Sequence, residues 1–314
     1  MRQFAIELIK SVREIIAMAW VAVIVRSPSS YATFLSRYRA GQRGPWIESL
    51  FRRTRDLLVE RWQRDGTSLQ PMEILGRRML FDVSEYGIKD AFFGGRGYEQ
   101  ETTQTLAKFL VPGSVFIDIG ANGGFFSTIA ARLVGPQGSV YAFEPNPACV
   151  PLIRNHLKAN QCESVASVFS VAVSDKDSGS IRFFVPGPPL HSGLATLDPK
   201  IAAEWSQLDI NGSRPSVREL EVPCVRFDSW ARDHAPRQID LMKIDVEGAE
   251  SSVIQGMSQT LKDRAPRAIV CETEEGSVAD QLIRSHGYSS TLLEDLGGRW
   301  KNYLYVRGDP APLA

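Results

Sequence analysis

Cysteine and histidine are scarce, with four of each in 314 residues. Cys149, Cys162, Cys224 and Cys271 contain no C-x-x-C pair and no dense framework. That spacing excludes a zinc ribbon, a thioredoxin-type redox motif and a disulfide-stapled small domain, and it fits a reducing cytoplasm. His156, His191, His234 and His286 are equally scattered, so no zinc set emerges and no metal is expected from spacing. An excess of either charge is also missing, since 36 Lys and Arg balance 36 Asp and Glu. A neutral chain is not built to bind a polyanion, so no nucleic-acid partner is expected. Long hydrophobic runs are absent as well. The longest uncharged apolar stretch near the N-terminus, residues 15–25, lies between Glu14 and Arg26. It falls short of the roughly 20 residues a spanning helix needs. Glu7, Lys10, Arg13 and Glu14 interrupt what precedes it, against a signal peptide.

What the chain does contain is enough apolar sequence, 43%, for a sizeable core. Phe4, Leu8, Val12, Ile15 and Met18 recur at helical spacing, which predicts one amphipathic helix over residues 3–25. Its apolar stripe packs on its own domain or on a second subunit, or lies on a membrane surface; in the last case a cytoplasmic protein would sit peripherally on the membrane. Residues 1–95, with arginine-rich helical stretches and a polar hairpin, read as an N-terminal helical accessory region. From residue 96 to 314 apolar strand-like runs alternate with helical patterns. "SVFIDIG", "SVYAFEP", "VASVFSVAVS", "IDLMKIDVE" and "AIVCET" are candidate central strands, with helices over 125–134 and 148–159. Runs apolar on both faces belong to a parallel sheet covered by helices, so the fold class is α/β, doubly wound and Rossmann-like. "SSTLLED" and "KNYLYVRG" predict an antiparallel pair at one sheet edge. The turn-rich stretch between Pro186 and Pro223 predicts an excursion beside the sheet that walls a substrate site.

The strand "VFIDIG" ends in "GANGG". Ligands of open parallel sheets bind beyond the carboxyl ends of the strands, and glycines there leave the main chain approachable. The dinucleotide fingerprint G-x-G-x-x-G fails: counted from Gly120, its second and third glycine positions hold Asn122 and Phe125. Glu144 closes the next strand and is placed to accept hydrogen bonds from ribose hydroxyls, with Asn146 beside it in "EPNP". Asp118 lies inside its strand, where a carboxylate costs several kcal/mol unless paired. It calls for a cation or a set of N–H donors, as the amino group and sulfonium of S-adenosylmethionine would supply.

"FIDIGANGGFFSTIAAR", "GSVYAFEPNP", "VAVSDKDSGSIRFF" and "IDLMKIDVEGAESSVIQGM" together resemble the FkbM-type family of class I S-adenosylmethionine-dependent methyltransferases. The resemblance covers roughly residues 96–310. It implies a mostly parallel seven-stranded sheet with an antiparallel edge. It also implies S-adenosyl-L-methionine as cofactor, with Asp118, Gly120 and Asn122 near its methionine part, Glu144 at the ribose and Asp175 near the adenine, and Gly124 and Asn146 as further cofactor-binding residues. The implied reaction is transfer to a hydroxyl oxygen of a sugar, glycolipid or secondary metabolite.

A hydroxyl becomes a good nucleophile as its proton is removed, so a base is sought near the glycine loop. "KIDVEGAE" supplies Asp245 at a strand end and Glu247 in the following turn; His191, in the excursion, is a third candidate. Each has a structural reading too: Asp245 as a helix cap, Glu250 as first-turn stabiliser, Lys243 as partner of Asp118, His156 as a surface residue. Asp245 and Glu247 also leave a divalent cation open. The rival functions are a nicotinamide-dependent oxidoreductase, which the broken fingerprint disfavours, a nucleic-acid methyltransferase, which the strand end "KIDVEG" and zero net charge disfavour, and a nucleoside-binding subunit without catalysis.

Overall fold

The computed structural model describes residues 2–41, 44–95, 97–188, 190–210, 212–234, 238–295, 297 and 299–308, with side chains from residue 7 on and that of Ser192 excepted. These residues form two compact units, Met1–Tyr98 and Glu99–Ala314.

The first unit contains α1 (Arg2–Ile24), α2 (Pro28–Ala40), α3 (Pro45–Arg64), the strands β1 (Leu69–Ile74) and β2 (Arg77–Asp82), and α4 (Tyr86–Gly94). Proline near the start of α2 and α3 suits the first helical turn, where its missing N–H has no partner to lose. Ser27 caps α2 by accepting from the Ser30 N–H at 3.3 Å. β1 and β2 form the expected hairpin, antiparallel from Leu69–Asp82 to Ile74–Arg77. Phe34 and Phe51 stack with centroids 5.4 Å apart, and Trp20 meets Phe51 edge-on at 5.2 Å. The helix over residues 3–25 is present, but its periodic residues Leu8, Val12, Ile15 and Met18 are exposed, the side chain of Phe4 lying outside those described. The stripe therefore does not pack on its own unit. No helix among the described residues is long and apolar enough to cross a membrane.

In the second unit α5 (Gln100–Phe109) precedes β3 (Val115–Ile119), α6 (Phe125–Val134), β4 (Ser139–Phe143), α7 (Val150–Ala159) and β5 (Ala166–Phe169). Then come β6 (Ala172–Ser174), β7 (Ile181–Pro186), α8 (Pro199–Gln207), β8 (Val217–Val222), β9 (Cys224–Arg226) and α9 (Phe227–His234). β10 (Leu241–Ile244), α10 (Glu250–Gly256), α11 (Ser258–Asp263), β11 (Ala268–Thr273), α12 (Val278–Ser285), β12 (Tyr288–Glu294) and β13 (Lys301–Arg307) complete the unit.

Seven strands make the main sheet in the order β12-β13-β11-β10-β3-β4-β5. β3, β4, β5, β10 and β11 run parallel, and β13 is antiparallel to both β11 and β12. This is the class I methyltransferase sheet with its antiparallel edge. Ile117, Met242 and Ile269 on one face and Phe116, Leu241 and Val270 on the other are all fully buried, which is why these runs are apolar on both faces. The chain enters at β3, winds outward through β4 and β5, then returns to the other side of β3 at β10. The adjoining carboxyl ends of β3 and β10 thus lie at the point where strand order reverses, the usual place for a ligand crevice.

One expected strand divides. Residues 165–174 break into β5, in the main sheet, and β6, which leaves it to pair in parallel with β9. The excursion is also more structured than a loop. β8 returns antiparallel to β7, and Phe184 bridges to Thr196.

Candidate active site

The glycine turn after β3 is held by contacts within the protein. Gly120 has φ of 85°, and a Cβ placed on it would lie 1.7 Å from the carbonyl oxygen of Asp245. Gly124, at φ 81°, would meet Ile153 of α7 at 2.8 Å. Both positions need glycine because main chain approaches main chain or a packed helix, not only to admit a ligand. His156 is fully buried rather than a surface residue. Its Nδ1 lies 2.8 Å from the Gly123 carbonyl oxygen; a carbonyl only accepts, so this nitrogen carries the proton. The buried imidazole thereby fixes the loop from beneath.

Asp118, on β3, is 1% exposed. Oδ2 accepts from the Ser127 hydroxyl of α6 at 2.5 Å, while Oδ1 is buried with no hydrogen-bond partner among the described residues. Burial pushes its pKa up, opposed by the nearby Lys243 ammonium and the Ser127 hydrogen bond. Glu144, at the end of β4, accepts backbone N–H donors from Asn122 and Asn146, each at 2.7 Å. Burial nevertheless pushes it up to about 7. Each oxygen keeps a lone pair for a further donor. Asn146 is 1% exposed and caps the local turn by accepting from the Ala148 N–H, while its Nδ2 is buried with no partner among the described residues.

A nest of acids lies at the carboxyl end of β10. Lys243 is 2% exposed; its ammonium donates to Asp245 Oδ2 at 2.6 Å and sits over the Phe126 ring, 4.9 Å from the centroid. The expected pairing with Asp118 is replaced by this one, although Lys243 and Asp118 are register neighbours on adjacent strands. Asp245 does not cap the following helix. That helix has no side-chain cap; Glu250, its first residue, instead ties down the turn before it, Oε1 accepting from the N–H groups of Val246 and Gly248 at 3.2 and 3.0 Å. Glu247 occupies the left-handed region at φ 54°, an uncommon backbone state for a side chain of its size. Asp245, Glu247 and Glu272, from the end of β11, each present a carboxylate oxygen within 4.8 Å of the other two. That spacing could hold one divalent cation.

The protonation behaviour follows from this crowding. Burial and then the Asp245 charge raise the pKa of both Glu247 and Glu272 well above the usual carboxylate range. Burial, opposed by its backbone hydrogen bonds, puts Glu250 at about 7. A carboxylate poised above its ordinary range is a stronger base than one in water.

The excursion folds against this nest. The Thr196 hydroxyl donates to the Glu247 carbonyl at 2.6 Å, and a Cβ on Gly248 would meet Ile201 of α8 at 2.4 Å. A Cβ on Gly193 would lie 3.0 Å from Asn122 Nδ2 and 3.1 Å from His191 Nδ1, so this turn carries His191 to the glycine loop. Asp175 stands apart: it is exposed just beyond β6 and accepts from the Ser174 hydroxyl. Sequence reasoning missed Glu272 and His156. It also missed Glu99, buried at φ 39° with Oε2 accepting from Asn302 at 2.9 Å, whose charge adds to the elevation of Glu247.

A model of the methyltransferase FkbM domain matches residues 118–290, which run from Asp118 to the start of β12. The chain belongs to this family. Among its relatives is the 31-O-demethyl-FK506 methyltransferase FkbM of Streptomyces tacrolimicus, 30% identical over 206 residues, 59% of this chain and 76% of that protein. Another is the 2-O-methyltransferase NoeI of Sinorhizobium fredii, 31% identical over 163 residues, 48% of this chain and 60% of that protein. A precorrin-6y C5,15-methyltransferase from Geobacter metallireducens is a structural neighbour at 14% identity and a TM-score of 0.41, covering 76% of this chain and all of that one. As an FkbM-domain protein the chain is a methyltransferase, and the matched span contains Asp118, Glu144, Asp245, Glu247 and Glu272.

The family's implied cofactor can be tested against these residues. Asp118 Oδ1 is an orphaned acceptor in a buried, net-acidic corner, and a cationic ammonium is the donor such an atom lacks. Glu144 retains acceptor capacity for hydroxyls, and Asn146 Nδ2 retains a donor. The donor and acceptor set fits a zwitterionic sulfur nucleoside.

Proposed function

We propose that the chain uses S-adenosyl-L-methionine to O-methylate a hydroxyl of a sugar, glycolipid or secondary metabolite. The observation that carries this reading is the juxtaposition, at the ends of β3 and β10, of the unpartnered Asp118 oxygen with the acid nest of Asp245, Glu247 and Glu272. Relatives named as a 2-O-methyltransferase and a 31-O-demethyl-FK506 methyltransferase support oxygen as the acceptor atom.

In this reading Asp118 holds the cofactor's ammonium, Glu144 the ribose hydroxyls, and Asn122 with Asn146 shape the loop between them. Gly120 and Gly124 set the turn, and the adenine-side role of Asp175 rests on the family resemblance alone. When bound, the cofactor supplies an electrophilic methyl group on a sulfonium. Asp245, its charge partly balanced by Lys243, orients the acceptor hydroxyl. Glu247, which burial and the Asp245 charge keep protonated until the pH rises above neutrality, takes up the hydroxyl proton in its ionised form, so this step speeds up toward alkaline pH; such proton removal contributes typically 10²- to 10⁴-fold. His191 lines the acceptor side through the excursion, which excludes water from the nest.

The test is incubation of the purified chain with methyl-labelled donor and a panel of sugars, glycolipids and polyketide-type alcohols, read by mass spectrometry. Products heavier by one methylene and dependent on Glu247 support the reading. Binding of the donor with no product from any acceptor points to a nucleoside-binding subunit, and binding of NADH in its place rejects both.

A further inference from the structure

We infer that the outward face of α1 is a docking surface for an anionic lipid bilayer, with the helix lying in the interface plane. The proposal is independent of the catalytic reading and concerns the first unit alone. On α1 the usual arrangement of a surface helix is reversed. The charged Arg13 and Glu14 turn inward: Arg13 donates to the Ser49 hydroxyl at 2.6 Å, and Glu14 accepts a two-pronged pair from Arg53 at 2.7 and 2.6 Å. The outward half is apolar, with Leu8 at 54%, Val12 at 42%, Ile15 at 67%, Met18 at 58% and Val23 at 57% exposure. At 100° per residue, the exposed Ala19 and Ala22 fall on the same half-cylinder, where Ser11 is the one polar residue between Leu8 and Val23. Residues 8–23 extend about 23 Å at the helical rise. Glu7 and Lys10 pair with each other at 2.9 Å and stay exposed at the start of the helix, but from Ser11 to Val23 the outward half carries no charge, and contiguous apolar patches of this kind mark interaction sites.

Charge selects the occupant. Residues 1–98 contain 16 Lys and Arg against 10 Asp and Glu, whereas the rest of the chain contains 20 against 26. The unit that carries the apolar face is therefore positive by six within a neutral chain. A second copy would bring a like-charged unit to the same face, which opposes self-association. An anionic leaflet attracts it, at about 1 kcal/mol per basic residue near the surface. Exposed Arg26 follows the apolar face directly in the chain. A cavity of about 450 Å³ shares Val23 with that face and is lined by Trp20, Ile24, Phe34, Phe51 and Arg37 among others. Its apolar wall suits an acyl chain. Since α1 is not long and apolar enough to cross, the mode is monotopic.

The experiment is co-sedimentation of the full chain with phosphatidylcholine vesicles containing about one-third phosphatidylglycerol, beside pure phosphatidylcholine vesicles. Expected is binding to the anionic vesicles, weakened by salt, and reduced at least tenfold in the double variant Ile15→Glu, Met18→Glu with circular dichroism and thermal midpoint unchanged. Leu8→Glu, at an exposed position about two turns before Ile15, serves if the double variant fails to fold. No binding to anionic vesicles, or binding equal in wild type and variants, overturns the proposal. So does a dimer in light scattering that the same substitutions dissociate while vesicle binding is unaffected.

Discussion

Replacing Glu272 by glutamine should stabilise this protein at alkaline pH. Two ionised carboxylates within 4.8 Å of each other repel by about 3.5 kcal/mol at an effective dielectric of about 20. Three such pairs among Asp245, Glu247 and Glu272 would approach the whole stability of a domain. Lys243 offsets part of this, and the remainder is relieved by keeping protons on Glu247 and Glu272. The sign follows from linkage. An acid whose folded pKa lies above its unfolded value contributes stability that is fully present below the unfolded value, near 4.5, and lost as pH rises through the folded one. Glu144 and Glu250, at about 7, lose theirs near neutrality, and Glu247 and Glu272 lose theirs at higher pH. Stability should therefore fall continuously from about pH 5 to about pH 9. Glu272→Gln removes one repelling member, so at pH 8.5 it should gain about 2–3 kcal/mol over wild type. Near pH 5 the two proteins should differ little. Urea unfolding of the chelator-treated proteins at both pH values is the assay. A wild-type midpoint that does not change across this range, or a Glu272→Gln loss that is equal at both ends, would refute the electrostatic account of the nest.

Three further outcomes are expected. Glu247→Gln should leave S-adenosylhomocysteine affinity within about twofold and lower turnover 10²- to 10⁴-fold; unchanged turnover removes Glu247 from proton transfer. Gly120→Ala drives a Cβ into the Asp245 carbonyl at a positive φ, and should cost at least about 3 kcal/mol or prevent folding, as urea unfolding or expression yield would show. His156→Phe keeps bulk but removes the hydrogen bond to Gly123, and should weaken nucleoside binding by calorimetry with a smaller effect on overall stability; unaltered affinity would show that the loop needs no such support.

Much of the second unit was legible because its local signals agree with its long-range order. Phe125–Val134 is the helix its pattern predicts, since glycine stands at both ends. The pair β12 and β13 follows from two short alternating runs flanking a glycine turn. Residues 165–174 mislead because no glycine or proline marks the point where the chain leaves the main sheet. The partner that draws β6 away, β9, lies some fifty residues further on. His156 reads as a surface residue because a polar side chain beside Ile153 and Leu157 usually is one; only its bond to Gly123 shows why it is inside. Glu272 escaped notice for the same reason in reverse. Its strand end looks ordinary until register sets β11 beside β10 and brings the acid to Asp245 and Glu247. The apolar stripe of α1 was legible, but which side it faces was not.

The central claim is that Asp118 Oδ1, buried and unpartnered, awaits the cationic end of a sulfur nucleoside. Isothermal calorimetry of S-adenosylhomocysteine binding to wild type and to Asp118→Asn tests it directly. Micromolar binding that the isosteric amide weakens by 10²-fold or more, with the fold intact, is the predicted result. Equal affinity in the two proteins, or none in wild type, would contradict it.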